Sequence, residues 1–495
     1  MSRCFLELLE FQFQRNSEKT AVIYQNKKIS FGQLKQQGER AGAFLREQGL
    51  KKGDVVILYT AEKLPFLILH LGIILCGGIS LPLNVHFTRE EMIYFIDDSG
   101  ARFLFASGKQ AALIREIKNE NNCPKMEKIF EPSPTLERIT KTNPLPGLVK
   151  GEITAEDYCF MLYSSGTTGR PKGVVHTHGN TAASLLALQR QWAFSPADVL
   201  LNTLPLFHIH GLSFASHLSL ISGSTMILED RFHPRDTMEK IKEATVFMGV
   251  PTYYYAFLNR PEFGEKAKQW QRTRLFTCGS APIRTDVLTE IESILGKPLI
   301  NRYGMTESHV IASLPLDGPF KRGSVGQPLR GIQLKIEGEK GEVKVKSRNL
   351  FHHYWNKPHA TGAAFDHEGF FKTGDLGHLD EDGFLFLAGR KSDLIITGGY
   401  NVYPAVVERV INEYPGVKES AVIGIPDDMK GEKAMAVIVW EPGGPASLDM
   451  NAIKKYCREK LAGYQCPSYF ETVEKLPRNT MGKVLKRELK EKFKK

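Results

Sequence analysis

A chain of 495 residues is too long for one hydrophobic core, so two or more domains are expected. Hydrophobic residues at 42% and charged residues at 24% are ordinary globular values. The net charge of +10 suits anionic small substrates or a membrane surface; no zinc pattern or arginine–aromatic signature accompanies it, so nucleic acid is set aside as a partner. Part of the excess lies in the tail Lys483 to Lys495, read as a solvated helix face. Seven dispersed cysteines without a Cys-x-x-Cys pair suit reduced thiols and a cytoplasmic protein.

In chain order, Phe5 to Leu9 begins an amphipathic helix, not a secretory signal. Residues 20–24 and 28–30 read as a hairpin around Asn26-Lys27. Ser30 caps a helix reaching about Gln48. Strand 54–59, helix 64–76, strand 79–83, helix 89–98 and strand 102–105 follow. This rhythm predicts a largely parallel α/β sheet. Leu64 to Leu83 is the longest apolar stretch. His70, Gly77-Gly78 and Pro82 interrupt it, so it reads as a buried helix and strand, not a membrane span. Residues 117–150 read as a variable connection. Helix 181–191 and strands 200–204, 225–228, 246–251 and 275–278 continue the pattern, with a helix at 234–244. From Gly323 to Leu387 short strands and turns take over. A boundary is expected near Gly389-Arg390, followed by about one hundred residues of α+β pattern.

The chemistry concentrates first in Ser164-Ser165-Gly166-Thr167-Thr168-Gly169-Arg170-Pro171-Lys172-Gly173. Glycines let backbone N–H groups approach an anion. The hydroxyls add donors, and Lys172 adds a mobile charge suited to phosphate oxygens. Strand-like residues flank the stretch on both sides, and the spacing is not that of a Walker A loop. In Arg302-Tyr303-Gly304-Met305-Thr306-Glu307, Tyr303 offers a flat face to a base and Thr306 a hydroxyl to phosphate. Glu307 offers a carboxylate to Mg²⁺, which takes few carboxylates plus phosphate oxygens.

The ten-residue stretch resembles the phosphate-binding signature of the adenylate-forming superfamily: acyl-CoA synthetases, peptide-synthetase adenylation domains and beetle luciferases. The likeness runs through nearly the whole chain in order. It implies an α/β fold: a large N-terminal adenylation domain of stacked α/β sheets with a small β lobe (1–389), then a small mobile α+β domain (390–495). Gly279-Ser280-Ala281 resembles the segment along the adenine, beside Tyr303 and Gly304. Asp375 of Thr373-Gly374-Asp375 matches the family Asp on the ribose hydroxyls, and Arg390 the Arg that also reaches the ribose. Lys483 of Pro477-Arg478-Asn479-Thr480-Met481-Gly482-Lys483 matches the Lys bridging carboxylate and α-phosphate. A cation there lets one anion attack another. His208 matches a His beside the acyl site; His210, His176 and His178 gain no such support. Gly398-Gly399-Tyr400 matches a CoA-facing surface, and Ser392 stands where a hinge residue is usually Lys or Asp.

The implied reaction joins a carboxylic acid to CoA through acyl-AMP, with ATP, Mg²⁺ and CoA as cofactors and co-substrates. Arg302, where fatty-acyl and coumaroyl relatives usually carry Gly, and the Pro205–Leu212 and Met248–Tyr254 blocks look most like malonyl-CoA synthetases. Arg302, with Arg231 as second candidate, would meet the distal carboxylate of a small diacid such as malonate or methylmalonate. A medium- or long-chain fatty acid ligase, a free-standing carrier-protein loader and a luciferase-like oxygenase stay open as alternatives.

Overall fold

The computed structural model describes residues 4–120, 123, 125–140, 153–164, 170–338, 340–441, 450–478 and 483–493. A nine-stranded sheet runs in the order Gln327–Pro328, His309–Ser313, Leu299–Met305, Leu275–Cys278, Val246–Gly249, Val199–Asn202, Thr225–Leu228, Thr20–Tyr24, Lys27–Ser30. Its central strands are parallel and both ends close antiparallel. A seven-stranded sheet orders His353–Tyr354, Lys172–Thr177, Tyr158–Ser164, Ile79–Pro82, Val55–Tyr59, Phe103–Ala106 and Lys128–Phe130.

Between the two sheets lies the helix Lys63–Leu75, apolar all round and buried along nearly its whole length. An all-apolar helix of this kind belongs inside a large core. It packs on Phe31–Glu47, whose Ser30 cap and Gln33 form a reciprocal capping box. Gly72 is needed at the crossing: a Cβ there would lie 2.6 Å from the Ala41 Cβ. The Thr20–Tyr24 hairpin turns at Gln25 and Asn26, both at positive φ (48° and 65°), the geometry a two-residue hairpin turn demands. No helix among the described residues is long and apolar enough to cross a membrane.

A four-stranded antiparallel lobe follows: Gln333–Lys335, Gly341–Lys346, Phe371–Leu379 and Leu385–Arg390. The smaller C-terminal domain has its own sheet, with Gly431–Trp440 at its centre and Val417–Asp427 along one edge. Helices Pro404–Asn412 and Lys486–Phe493 pack on it; the second buries Leu489 and exposes Lys492, but Lys486, against the reading of a solvated face, is largely covered and paired with Glu408 at 2.6 Å.

Several elements differ from the sequence reading. Within the stretch read as a variable connection lie a strand, Lys128–Phe130, paired with Phe103–Ala106, and a helix, Pro132–Ile139. The segment carrying Arg302, Tyr303 and Gly304 is a strand, Leu299–Met305, because His309–Ser313 pairs with it. That partner strand has no signal of its own in the reading. His210–His217, left between strands, is a π-helix. Its extra residue frees the Gly211 carbonyl, which accepts from Ser216 Oγ at 2.9 Å and Asn202 Nδ2 at 3.2 Å.

Candidate active site

Strands Tyr158–Ser164 and Lys172–Thr177 are antiparallel, and their register sets Ser164 opposite Lys172. The connection between them carries Ser165, Gly166, Thr167, Thr168 and Gly169, which lie outside the described residues. The stems converge on Glu307, which is 6% exposed. Ser164 Oγ donates to Glu307 Oε1 at 3.0 Å, and Tyr354 OH donates to the same oxygen at 3.2 Å. Both bonds go to Oε1, so Oε2 is the atom left to face a cation. Lys172 Nζ lies 4.9 Å from the centre of the Tyr354 ring. Burial, then the Glu307 charge, raises the Tyr354 pKa, so this tyrosine stays a donor. Tyr354 escaped the sequence reading, since nothing marks it until the 353–354 strand pairs with 174–175. Thr306, half-buried, precedes Glu307 in the turn between the two strands. Gly304 is forced by that hairpin: a Cβ would lie 2.1 Å from the His309 carbonyl.

A second group forms beside it. Tyr303 OH donates to Asp375 Oδ2 at 2.5 Å, and Arg390 Nε meets Asp375 Oδ1 at 2.8 Å. Asp375 and Arg390 are cross-strand partners in the four-stranded lobe. Burial raises the Asp375 pKa against the opposing pull of Arg390, Tyr303 and Lys483. Burial, then the Arg390 charge, lowers the Lys483 pKa, while the carboxylates of Asp375 and Asp393 oppose the shift. Residues 479–482 of its motif lie outside the described residues. Ser392 sits in a short turn, Lys391–Asp393, directly after Arg390.

The third group surrounds Arg302, only 3% exposed. Its Nη2 donates to Ser280 Oγ at 3.1 Å, and its guanidinium lies 5.1 Å from the Phe214 ring centre. Ser280 Oγ also meets His210 Nδ1 at 3.3 Å. Gly279 makes the room: a Cβ there would fall 2.6 Å from Arg302 Nε. Ser280 holds φ of 73°, a strained value for a non-glycine residue, and half-buried Ala281 follows it. Among the described residues no carboxylate pairs with Arg302, and its Nε has no hydrogen-bond partner. Burial lowers its pKa to about 10, which still leaves it charged at neutral pH.

His208 packs its ring 4.6 Å from Phe207, and burial pushes its pKa down to about 4, so it is neutral. Arg231 is exposed, in a cleft lined by Glu229, Asp230 and Asp236, surroundings unlike those of Arg302. Gly398, Gly399 and Tyr400 form a turn of the C-terminal domain. Gly398 N donates to Lys430 O at 2.9 Å, and Tyr400, 60% exposed, stacks on Tyr464 at 4.9 Å. Between the domains, Arg284 donates from Nη1 to Lys418 O at 2.6 Å and from Nη2 to Asn412 O at 3.0 Å. No pattern in the sequence marks Arg284.

Comparison with known proteins places the chain in a family. The AMP-binding enzyme family model matches residues 9–355, and the AMP-binding enzyme C-terminal domain model matches 406–483. A malonate–CoA ligase of Arabidopsis thaliana is 31% identical, over 99% of this chain and 89% of its own. A long-chain-fatty-acid–CoA ligase of Mycobacterium tuberculosis is 33% identical, over 94% and 93%. The ATP-bound crystal structure of MatB from Rhodopseudomonas palustris superposes with a TM-score of 0.92 at 35% identity, covering 99% of both chains. The family match over most of its length and relatives at 30% identity or more place it: the chain belongs to the AMP-binding enzymes, as an acid–thiol ligase of the AMP-forming acyl-CoA synthetase type.

Proposed function

We propose that this ligase activates a small dicarboxylic acid, malonate or methylmalonate, and that the unpaired buried Arg302 selects it. The magnitudes favour this reading. An uncompensated buried cation costs several kcal/mol. The Phe214 contact returns about 0.5–2 kcal/mol and one hydrogen bond about 1 kcal/mol. The deficit is met by an anion that arrives with the substrate, and a guanidinium takes a carboxylate through two parallel hydrogen bonds. Arg231, exposed among acidic groups, is the weaker candidate for the same carboxylate.

In the first step the near carboxylate attacks the α-phosphorus of ATP and pyrophosphate leaves, giving acyl-AMP. In the second the CoA thiol adds to the acyl carbonyl and AMP leaves, giving the thioester. Lys483 holds carboxylate and α-phosphate together, and Asp375 with Arg390 takes the ribose hydroxyls. Tyr303, Gly304, Gly279 and Ala281 line the adenine, while Ser164, Lys172 and Thr306 hold the polyphosphate. Mg²⁺ fits the open Oε2 of Glu307 and would supply charge neutralisation there. His208, neutral, lines the acyl site. Gly398, Gly399 and Tyr400 reach CoA after the domain beyond residue 389 turns. Catalysis then rests on positioning and electrostatics, without a side-chain nucleophile.

A fatty-acid ligase is the second reading, favoured by the equal similarity to the long-chain enzyme. Pyrophosphate release with malonate and with octanoate, on wild type and Arg302→Gly, separates the two. Malonate is expected to be the better wild-type substrate. The variant should lose malonate turnover by about 10²–10³-fold, the worth of a buried ion pair, while gaining octanoate. A wild type that prefers octanoate sinks the diacid reading and leaves the ligase standing.

A further inference from the structure

The helix Arg89–Ser99 takes no part in the chemistry above, yet it is tied to all three strands that present the polyphosphate side chains. Those strands lie side by side in the order His353–Tyr354, Lys172–Thr177, Tyr158–Ser164. They carry Tyr354, Lys172 and Ser164 at or near one end. Tyr94 OH donates to the carbonyl of Pro171, the residue before Lys172, at 2.6 Å. Arg170 lies over the same ring at 5.3 Å. One turn on, Asp98 Oδ2 accepts from Tyr163 OH, the residue before Ser164, at 2.7 Å. Its Oδ1 meets Lys357 Nζ at 2.5 Å, and its carbonyl accepts from Asn356 Nδ2 at 3.2 Å, both just past Tyr354. The helix is a firm post. Thr88 and Glu91 close a capping box at its start, and Gly100 ends it in the left-handed conformation.

We propose that Tyr94 and Asp98 are positioning residues for the polyphosphate. They set Lys172 and Ser164 against Tyr354 and Glu307 from behind the sheet, without touching ATP. The middle strand is held by Tyr94 at the residue just before its start, and Tyr163 of one outer strand is tied to Lys357, just past the other, through the single carboxylate of Asp98. Short strands joined only by their ladder can shift, and a misplacement of about 1 Å costs about a hundredfold in rate. A fixed post on the far face removes that freedom. This rests on reading Ser164, Lys172 and Glu307 as the polyphosphate site.

The test uses the full-length protein with Tyr94→Phe, Tyr163→Phe and Asp98→Asn. Each deletes one donor or one charge and keeps the side chain's shape. ATP affinity is read by calorimetry, which needs no acid and so stands apart from the identity of the substrate. The dissociation constant for ATP is expected to rise five- to twentyfold, on the order of one lost hydrogen bond or ion pair in the supporting layer. The KM for the acid and thiolysis of supplied acyl-AMP should stay within about twofold, as for any residue whose reach ends at the polyphosphate. If Asp98→Asn does not fold, the two Phe variants decide alone. ATP affinity unchanged in both Phe variants overturns the proposal. So does a loss spread equally over ATP binding, acid KM and thiolysis, which marks a merely structural role.

Discussion

Lys483→Ala should lose acyl-AMP formation by about 10²–10³-fold while thiolysis of supplied acyl-AMP survives. The reason is where charge meets charge. In the first step one anion attacks another, and a cation between them is worth most at the transition state. In the second step a thiol meets a mixed anhydride, and no such repulsion exists. The charges of Asp375 and Arg390 both act on Lys483. Pyrophosphate exchange reads the first half-reaction and CoA-dependent AMP release the second. Equal losses in both, in a protein that melts normally, would remove Lys483 from this role.

The second large effect is on stability. Six histidines are wholly buried: His70, His176, His178, His210, His217 and His309. They gather in the core between the sheets: His70 Nε2 meets His217 Nε2 at 2.8 Å, and the rings of His176 and His309 lie 4.4 Å apart. The first contact needs one donor and one acceptor, which only a pair with a neutral member supplies. Burial holds His70 and His178 at about 3 and His309 at about 4, with His176, His210 and His217 also pushed down. In the unfolded chain each titrates near 6.5.

A folded pKa below the unfolded one means the unfolded state takes up protons first. The stability is complete above about pH 6.5 and drains away between there and about pH 3. From pH 7.5 to 5.5 each histidine costs on the order of 1 kcal/mol, so together they cost several kcal/mol, a large share of the stability of a domain. The chain beyond His378 holds no histidine, so the C-terminal domain is an internal control. Urea unfolding at the two pH values, followed by hydrogen exchange, should show the N-terminal domain giving way first and the C-terminal one barely moving. Identical N-terminal midpoints at both values would refute this.

What could be read from the sequence was whatever depends on near neighbours. The hairpin near Asn26, read one residue late because its turn is Gln25–Asn26 and Lys27 already pairs with Tyr24, the Ser30 cap, and the strands alternating with helices from Val55 to Ala106 follow from local chemistry and periodicity. The π-helix at His210–His217 was hidden because its extra residue is tolerated only where Asn202 and Ser216 collect the freed Gly211 carbonyl. The His309–Ser313 strand was hidden because His309 enters it at φ of 57°, held by the carbonyl of Asn349 at 2.9 Å from its ring. The same holds for the site. Ser164, Glu307, Asp375 and Lys483 stood out by motif. Tyr354, Tyr94 and Asp98 did not, because their partners lie tens to hundreds of residues away. Arg302 stood out as a departure from the relatives, but its isolation from every described carboxylate needed three dimensions.

The Arg284 clasp has a consequence for how the two domains can evolve. Its guanidinium grips the carbonyls of Asn412 and Lys418, while the Asn412 side chain is engaged with Ser420 inside its own domain. A donor that reads main-chain oxygens is blind to what the side chains are. The docking face of the C-terminal domain is therefore free to drift in sequence while its helix end and following strand stay in place. Exchange of side chains on that face leaves the Arg284 contact in place so long as the two carbonyls keep their positions.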